Sequence, residues 1–265
     1  MSDNQAVFAG EPAVVLGDGV AMPLVGLGVW QIRAGRPAEE AVGWALEAGY
    51  RHIDTAAAYG NEESVGRAVA ASGLPRDQVF ITTKMRSREP DPGPALGQSL
   101  ERLGLDHVDL YLIHSPGGDS ERRWPAFAEL RSRGLTRSIG VSNWGDAALE
   151  RLARSAEVPP AVNQIDFNPF LFSPATLETH RRCGVVLEAY SPLGRGRALG
   201  NPVVGEVARS AGRTPAQVLV RWAVQRGVPA IPKSSRRERI AENRAVFDFA
   251  LSSEDMARLD ALGRG

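Results

Sequence analysis

The chain has 265 residues, 43% hydrophobic and 23% charged, an ordinary globular balance that excludes a disordered or fibrous polymer and permits one large domain or two. Basic and acidic residues number 31 each, so the formal net charge is zero and neither nucleic acid nor an anionic membrane is expected as a partner. No stretch reaches the roughly 18 consecutive apolar residues of a membrane span; the single cysteine, Cys183, excludes an internal disulfide, and the N-terminal residues lack the basic start and apolar run of a secretion signal, so a cytoplasmic location is expected.

Residues 1–10 are expected to form a disordered tail. AVVLGDG and AMPLVGLG then flank Gly17-Asp18-Gly19, which suits a hairpin. From Gly26 onward short apolar runs alternate with amphipathic stretches: LGVW and a helix over 37–48, HIDT and 62–71, VFITTK and 92–103, VDLYLIH and 121–133. The alternation continues with SIGVSN and 146–155, AVNQIDF and 174–182, and VVLEAYS and 202–211. In the last unit a helix over 214–225, capped by Thr214 with Pro215 at its first position, precedes the strand VPAIPKS and a helix through RRERIAENRAV.

About eight strands alternating with helices at this density imply an α/β fold with a parallel sheet. The expected architecture is a single-domain (β/α)8 TIM barrel over residues 1–265, preceded by an N-terminal β-hairpin. An open doubly wound sheet is the alternative, but its GxGxxG fingerprint is broken twice: Gln31 and Leu199 stand where the last glycine belongs.

Barrel enzymes draw catalytic residues from the C-terminal ends of their strands. The polar residues at those ends include Asp54, Lys84 and His114, with Tyr59 five residues after Asp54. Lys84 is one of only two lysines among 31 basic residues, the other being Lys233, and a compact ammonium with a movable pKa is not interchangeable with arginine. Hydride addition to a carbonyl builds negative charge on oxygen and needs a proton donor there. Tyrosine keeps its proton at neutral pH; Lys84 beside Tyr59 would lower that pKa, Asp54 would hold Lys84 charged, and His114 would hydrogen-bond the carbonyl oxygen. Taken singly, Asp54 reads more readily as a helix cap or a partner of Arg51, Tyr59 as a turn tyrosine, and His114 as a buried histidine satisfied by backbone.

The motifs HIDTAAAYGNEESVGRAV, VFITTK, LDHVDLYLIH, IGVSNW, NQIDFNP, EAYSPLGRG and AIPKSSRRERIAEN occur together and in order. In this the chain closely resembles the aldo-keto reductase family, in particular its bacterial 2,5-diketo-gluconate reductase-like members, from the first hairpin to LSSEDMARLDAL. The resemblance implies a general acid at Tyr59, tuned by Lys84 and Asp54, with His114 orienting the carbonyl. It implies nicotinamide ligands at Ser142, Asn143 and Gln164, a stacking ring at Tyr190, and a diphosphate loop at Ser191 and Leu193. It further implies 2′-phosphate contacts from Lys233, Ser234 and Arg239, and adenine contacts from Glu242 and Asn243.

A lysine, a hydroxyl and arginines at a helix start form a local anion site in a neutral protein, although Arg236, Arg237 and Arg239 also read as a solvated helix face. NADPH/NADP+ is therefore the expected cofactor, a small carbonyl compound the substrate, and a monomer the expected state; no metal is assigned. The resemblance puts Trp30 in the substrate pocket, with Trp144 close by. Arg86 either attracts an acidic substrate, such as a keto acid or keto sugar acid, or points to solvent. Two other functions are open at this stage: a cofactor-binding regulator with little turnover, and a barrel glycosidase using carboxylates such as Glu188.

Overall fold

The computed structural model describes residues 5–264. It opens with strands β1 (Gln5–Phe8), β2 (Glu11–Val15) and β3 (Ala21–Pro23), joined in an antiparallel sheet of order β1-β2-β3. The hairpin expected around Gly17-Asp18-Gly19 is the β2–β3 connection, in which Val15 pairs with Ala21. The disordered tail expected over 1–10 is corrected for its second half, because Gln5–Phe8 pairs along its length with Glu11–Val15. Residues 1–4 lie outside the described residues.

The barrel follows as β4 (Leu27–Gly28), α1 (Arg36–Glu47), β5 (His52–Asp54), α2 (Glu62–Ala71), β6 (Phe80–Met85), α3 (Pro92–Leu103), β7 (Val108–Ile113) and α4 (Ser120–Ser132). It continues through β8 (Thr136–Ser142), α5 (Asp146–Ser155), β9 (Val162–Asp166), α6 (Pro174–Cys183), β10 (Val186–Tyr190), α7 (Pro202–Ala211) and α8 (Pro215–Val224). β11 (Ala230–Ile231), α9 (Arg237–Arg244) and α10 (Ser253–Asp260) complete it. The eight barrel strands are parallel and in sequence order, and a bridge between Val25 and Ala230 brings the last strand back to the first.

β4 and β11 are shorter than the runs LGVW and VPAIPKS suggest. In β11 the reason is covalent: Pro229 and Pro232 flank its two residues and have no amide to give to a ladder. Helix α10, to which the sequence reading assigned no element, starts at a Ser252 cap whose hydroxyl accepts from the Asp255 amide. The Thr214 cap of α8 is present as a full capping box with Gln217.

Strand residues are buried on both faces, as helices covering a parallel sheet require: every residue of β6 and β7 is buried. Each fully buried valine, leucine or isoleucine contributes about 1.5–3 kcal/mol. The strand period of two turns alternate side chains into the barrel. His52 and Asp54 on β5, Thr82 and Lys84 on β6, Gln164 on β9 and Glu188 on β10 accordingly form a connected polar interior. The N-terminal sheet reaches this interior from the strand-start end, where Phe8 meets Phe80 edge-on at 6.0 Å and Phe80 meets His52 at 4.9 Å.

Candidate active site

β5 and β6 are neighbours with Asp54 opposite Thr82, so Lys84 lies two residues further along and its stem returns toward Asp54. Lys84 Nζ donates to both Asp54 carboxylate oxygens at 2.7 Å, to the Thr55 carbonyl at 2.9 Å, and stands 3.4 Å from the Tyr59 hydroxyl. Tyr59 ends the short 3-10 turn Ala57–Tyr59 after β5 and meets the His114 ring edge-on at 5.6 Å. The four residues named from the sequence are thus one cluster. Tyr59, His114 and Asp54 line a cavity of about 810 Å³, with Lys84 fully buried behind them.

Burial works against the Lys84 ammonium, but Asp54 and Tyr59 outweigh it and raise its pKa, so the lysine stays charged. His114 is held neutral, its pKa lowered to about 4 by burial and by the Lys84 charge. Tyr59 departs from expectation. Burial raises its pKa, and the opposing pull of Lys84 offsets only part of that rise, because the hydroxyl has lost most of its water.

All the residues assigned to cofactor binding line this same cavity. Near Tyr59, the Ser142 hydroxyl donates to the Gln164 carbonyl at 2.8 Å, and the Tyr190 hydroxyl donates to Asn143 Oδ1 at 2.7 Å. Asn143 Nδ2 donates to the His114 carbonyl at 3.0 Å, tying three strand ends together. Lys233 and Ser234, just after β11, and Arg239, Glu242 and Asn243 on α9 also line the cavity. The donor set fits a dinucleotide: amide and hydroxyl groups from Ser142, Asn143, Gln164 and Ser191, together with two cations, Lys233 and Arg239.

The substrate residues divide. Trp30 lines the cavity and is 43% exposed. Trp144 is corrected to core: it is buried, and Asn163 Nδ2 holds its carbonyl at 3.0 Å, while the positive φ of 62° at Asn143 turns that preceding side chain to the cavity instead. Of the two readings of Arg86, the structure agrees with the solvent-facing one. It does not line the cavity; its guanidinium donates to the Ala57 carbonyl from Nε at 3.2 Å and Nη2 at 2.8 Å. It therefore braces the turn that carries Tyr59. Arg86→Ala is expected to lower kcat about two- to tenfold, the worth of a net hydrogen bond, with little change in Tm because the side chain is exposed. An unchanged kcat would show that the turn holds its shape unaided.

Several wall residues carried no recognised signal. Arg195, on the segment Gly194–Gly200, lines the cavity, over the Trp30 ring at 5.5 Å and 3.8 Å from Asp166. Thr214, Pro215 and Ala216 at the start of α8 line the cavity beside Glu242. Glu188, the carboxylate of the glycosidase alternative, is fully buried and absent from the cavity wall, so that alternative loses its acid.

A model of the aldo/keto reductase family matches residues 24–264. An aldo-keto reductase of Mycolicibacterium vanbaalenii is 49% identical over 260 residues, 96% of this chain and 93% of that protein. A glyoxal reductase of Bacillus subtilis is 45% identical over 255 residues, 95% of this chain and 92% of that protein. An aldo/keto reductase crystal structure from Brucella melitensis superposes with a TM-score of 0.91 at 41% identity, covering 97% of this chain and 100% of that one. Among the described residues no helix is long and apolar enough to cross a membrane.

Proposed function

The chain belongs to the aldo/keto reductase family, and from that premise we infer that it reduces aldehydes and ketones to alcohols with NADPH, using Tyr59 as the proton donor. The observation that carries this reading is the Lys84 ammonium, held by both Asp54 oxygens and 3.4 Å from the hydroxyl of Tyr59, which lines a cavity also lined by Lys233 and Arg239.

NADPH, when bound, supplies the hydride that adds to the substrate carbon. Gln164, Ser142 and Asn143 hold the nicotinamide carboxamide, and Tyr190 offers a flat face for the ring at little entropic cost. Neutral His114 donates a hydrogen bond to the substrate oxygen and fixes its position beside Tyr59. As charge develops on that oxygen, the Tyr59 hydroxyl gives up its proton to it. The phenolate so formed lies beside Lys84, whose charge is kept by Asp54, and this stabilisation is stronger in the transition state than in the ground state. In the reverse direction the phenolate takes the alcohol proton.

Lys233 and Arg239 give the preference for NADPH through charge-assisted hydrogen bonds to the 2′-phosphate. Small dicarbonyls are the first substrates to try, since a relative of this length and identity is a glyoxal reductase; keto acids and keto sugars complete the panel. Consumption of NADPH with members of this panel supports the reading, and cofactor binding without turnover on any of them would sink it in favour of a regulator. Lys233→Met and Arg239→Ala are each expected to weaken NADPH binding about tenfold or more while leaving NADH binding unchanged, as loss of one charge-assisted bond is worth about 1.5–3 kcal/mol. Equal losses for both cofactors would remove the 2′-phosphate from the assignment.

A further inference from the structure

Beneath the reacting cluster lies a second buried acid that the proposed chemistry does not use. Glu188 on β10 is fully buried, and its Oε2 accepts from Gln164 Nε2 at 2.8 Å. The same Gln164 nitrogen donates to Asp54 Oδ2 at 2.8 Å. Asp54, held ionised by Lys84, can only accept, so this nitrogen must face inward, and its second proton goes to Glu188 Oε2. The amide of Gln164 is locked with nitrogen inward, leaving Oε1 as the acceptor on a residue that lines the cavity.

The other oxygen of Glu188, Oε1, has no hydrogen-bond partner. It stands 3.8 Å from His52 Nε2, which is itself 3.0 Å from the Thr82 hydroxyl. Gly26 permits this packing, since a Cβ there would come within 2.6 Å of His52 Nδ1. An ionised carboxylate with one bare oxygen is costly in such a place, and a second negative charge beside Asp54 adds to the cost.

We propose that Glu188 is a positioning residue that acts as a neutral acid: it orients the Gln164 amide for the nicotinamide carboxamide and keeps a second negative charge away from the Asp54–Lys84–Tyr59 cluster. The charged and titratable groups facing it are His52 and Asp54 from β5, Lys84 from β6 and Tyr59 from the turn after β5. His52 is uncharged, its pKa lowered to about 3 by burial and by Lys84, so it does not neutralise an ionised Glu188. Burial and the Asp54 charge push the Glu188 pKa up to about 8. Above that pH the new negative charge raises the Tyr59 pKa further and makes the tyrosine a weaker acid. The proton on Glu188 thus gates the reduction from below, without touching the substrate.

This inference rests on the cofactor reading given above, and the test separates the two. NADPH affinity, by quenching of tryptophan fluorescence, and kcat for a small aldehyde are measured from pH 6 to pH 9.5 in the wild type, Glu188→Gln and Glu188→Leu. In the wild type kcat is expected to fall through an apparent pKa near 8. Glu188→Gln, which imitates the neutral acid, is expected to keep wild-type affinity and lose that alkaline limb. Glu188→Leu removes one of the two acceptors that hold the Gln164 amide, and is expected to weaken NADPH binding about tenfold, the worth of one buried hydrogen bond. An alkaline limb unchanged in Glu188→Gln overturns the proposal, and this variant decides the matter should Glu188→Leu not fold. Absence of NADPH binding by the wild type would overturn the cofactor reading and this one with it, whereas wild-type binding with an unaltered profile in Glu188→Gln overturns only the role of Glu188.

Discussion

Tyr59→Phe is expected to lower kcat for carbonyl reduction by about 10²–10⁴-fold, the usual worth of a placed general acid, and to leave NADPH affinity unchanged. The substitution removes a single oxygen. Its hydrogen-bonding neighbour Lys84 stays satisfied by Asp54 and the Thr55 carbonyl, so the cluster keeps its shape. His114 does not take over the proton transfer. With its pKa near 4 it carries no spare proton at neutral pH, and giving up its remaining N–H proton is far harder than giving up that of a phenol. Single-turnover measurement with saturating NADPH isolates the chemical step, and a Phe variant that kept the wild-type rate would remove Tyr59 from the mechanism. Because Tyr59 is held above the ordinary tyrosine pKa, no loss of rate from its own ionisation is expected below about pH 10.

Lys84→Met is expected to be the most damaging single change to stability. Lys84 is fully buried and Asp54 is 2% exposed, so removing the ammonium strands a carboxylate whose other donor is Gln164. Breaking one side of such a pair costs about 3–5 kcal/mol, which for a chain of this size lowers Tm by about 10 °C. The sign with pH follows from the carboxylate: burial already raises the Asp54 pKa above its ordinary value and Lys84 opposes that rise, so without Lys84 the rise is larger. The loss is then smallest at low pH, where folded and unfolded chains both carry the proton, and grows as pH rises. Asp54→Asn combined with Lys84→Met is expected to recover part of the loss. Thermal denaturation of the single and double variants between pH 5 and 8 measures this, and a single variant as stable as the wild type would mean that water or Glu188 rearranges to serve Asp54.

Much of the barrel was legible along the chain, because helices advertise their ends. Asp91 before Pro92, Asn201 before Pro202 and Thr214 before Pro215 are cap-and-proline pairs, and each starts a helix where the pattern puts it. The N-terminal strand was not legible. QAVF at residues 5–8 is too short to show a period, and it becomes a strand only because Glu11–Val15 lies beside it. The reacting cluster was visible because Asp54, Lys84 and His114 stand at C-terminal strand ends, Tyr59 follows in the next turn, and the family motifs join the four. The error and the open choice fell on residues whose direction depends on one backbone angle or one neighbour: Trp144, turned inward after the left-handed Asn143, and Arg86, drawn to the Ala57 carbonyl.

By itself the sequence determined the order of strands and helices, the family motifs, and the polar residues at and just after strand ends, since these depend on local chemistry and period. Only the tertiary structure decided which interior groups share protons. Asp54, Gln164 and Glu188 are far apart in the chain, and the closure of the barrel brings them onto one amide nitrogen. There the protonation of each depends on burial and on its neighbours' charge, quantities that exist only once water has been excluded.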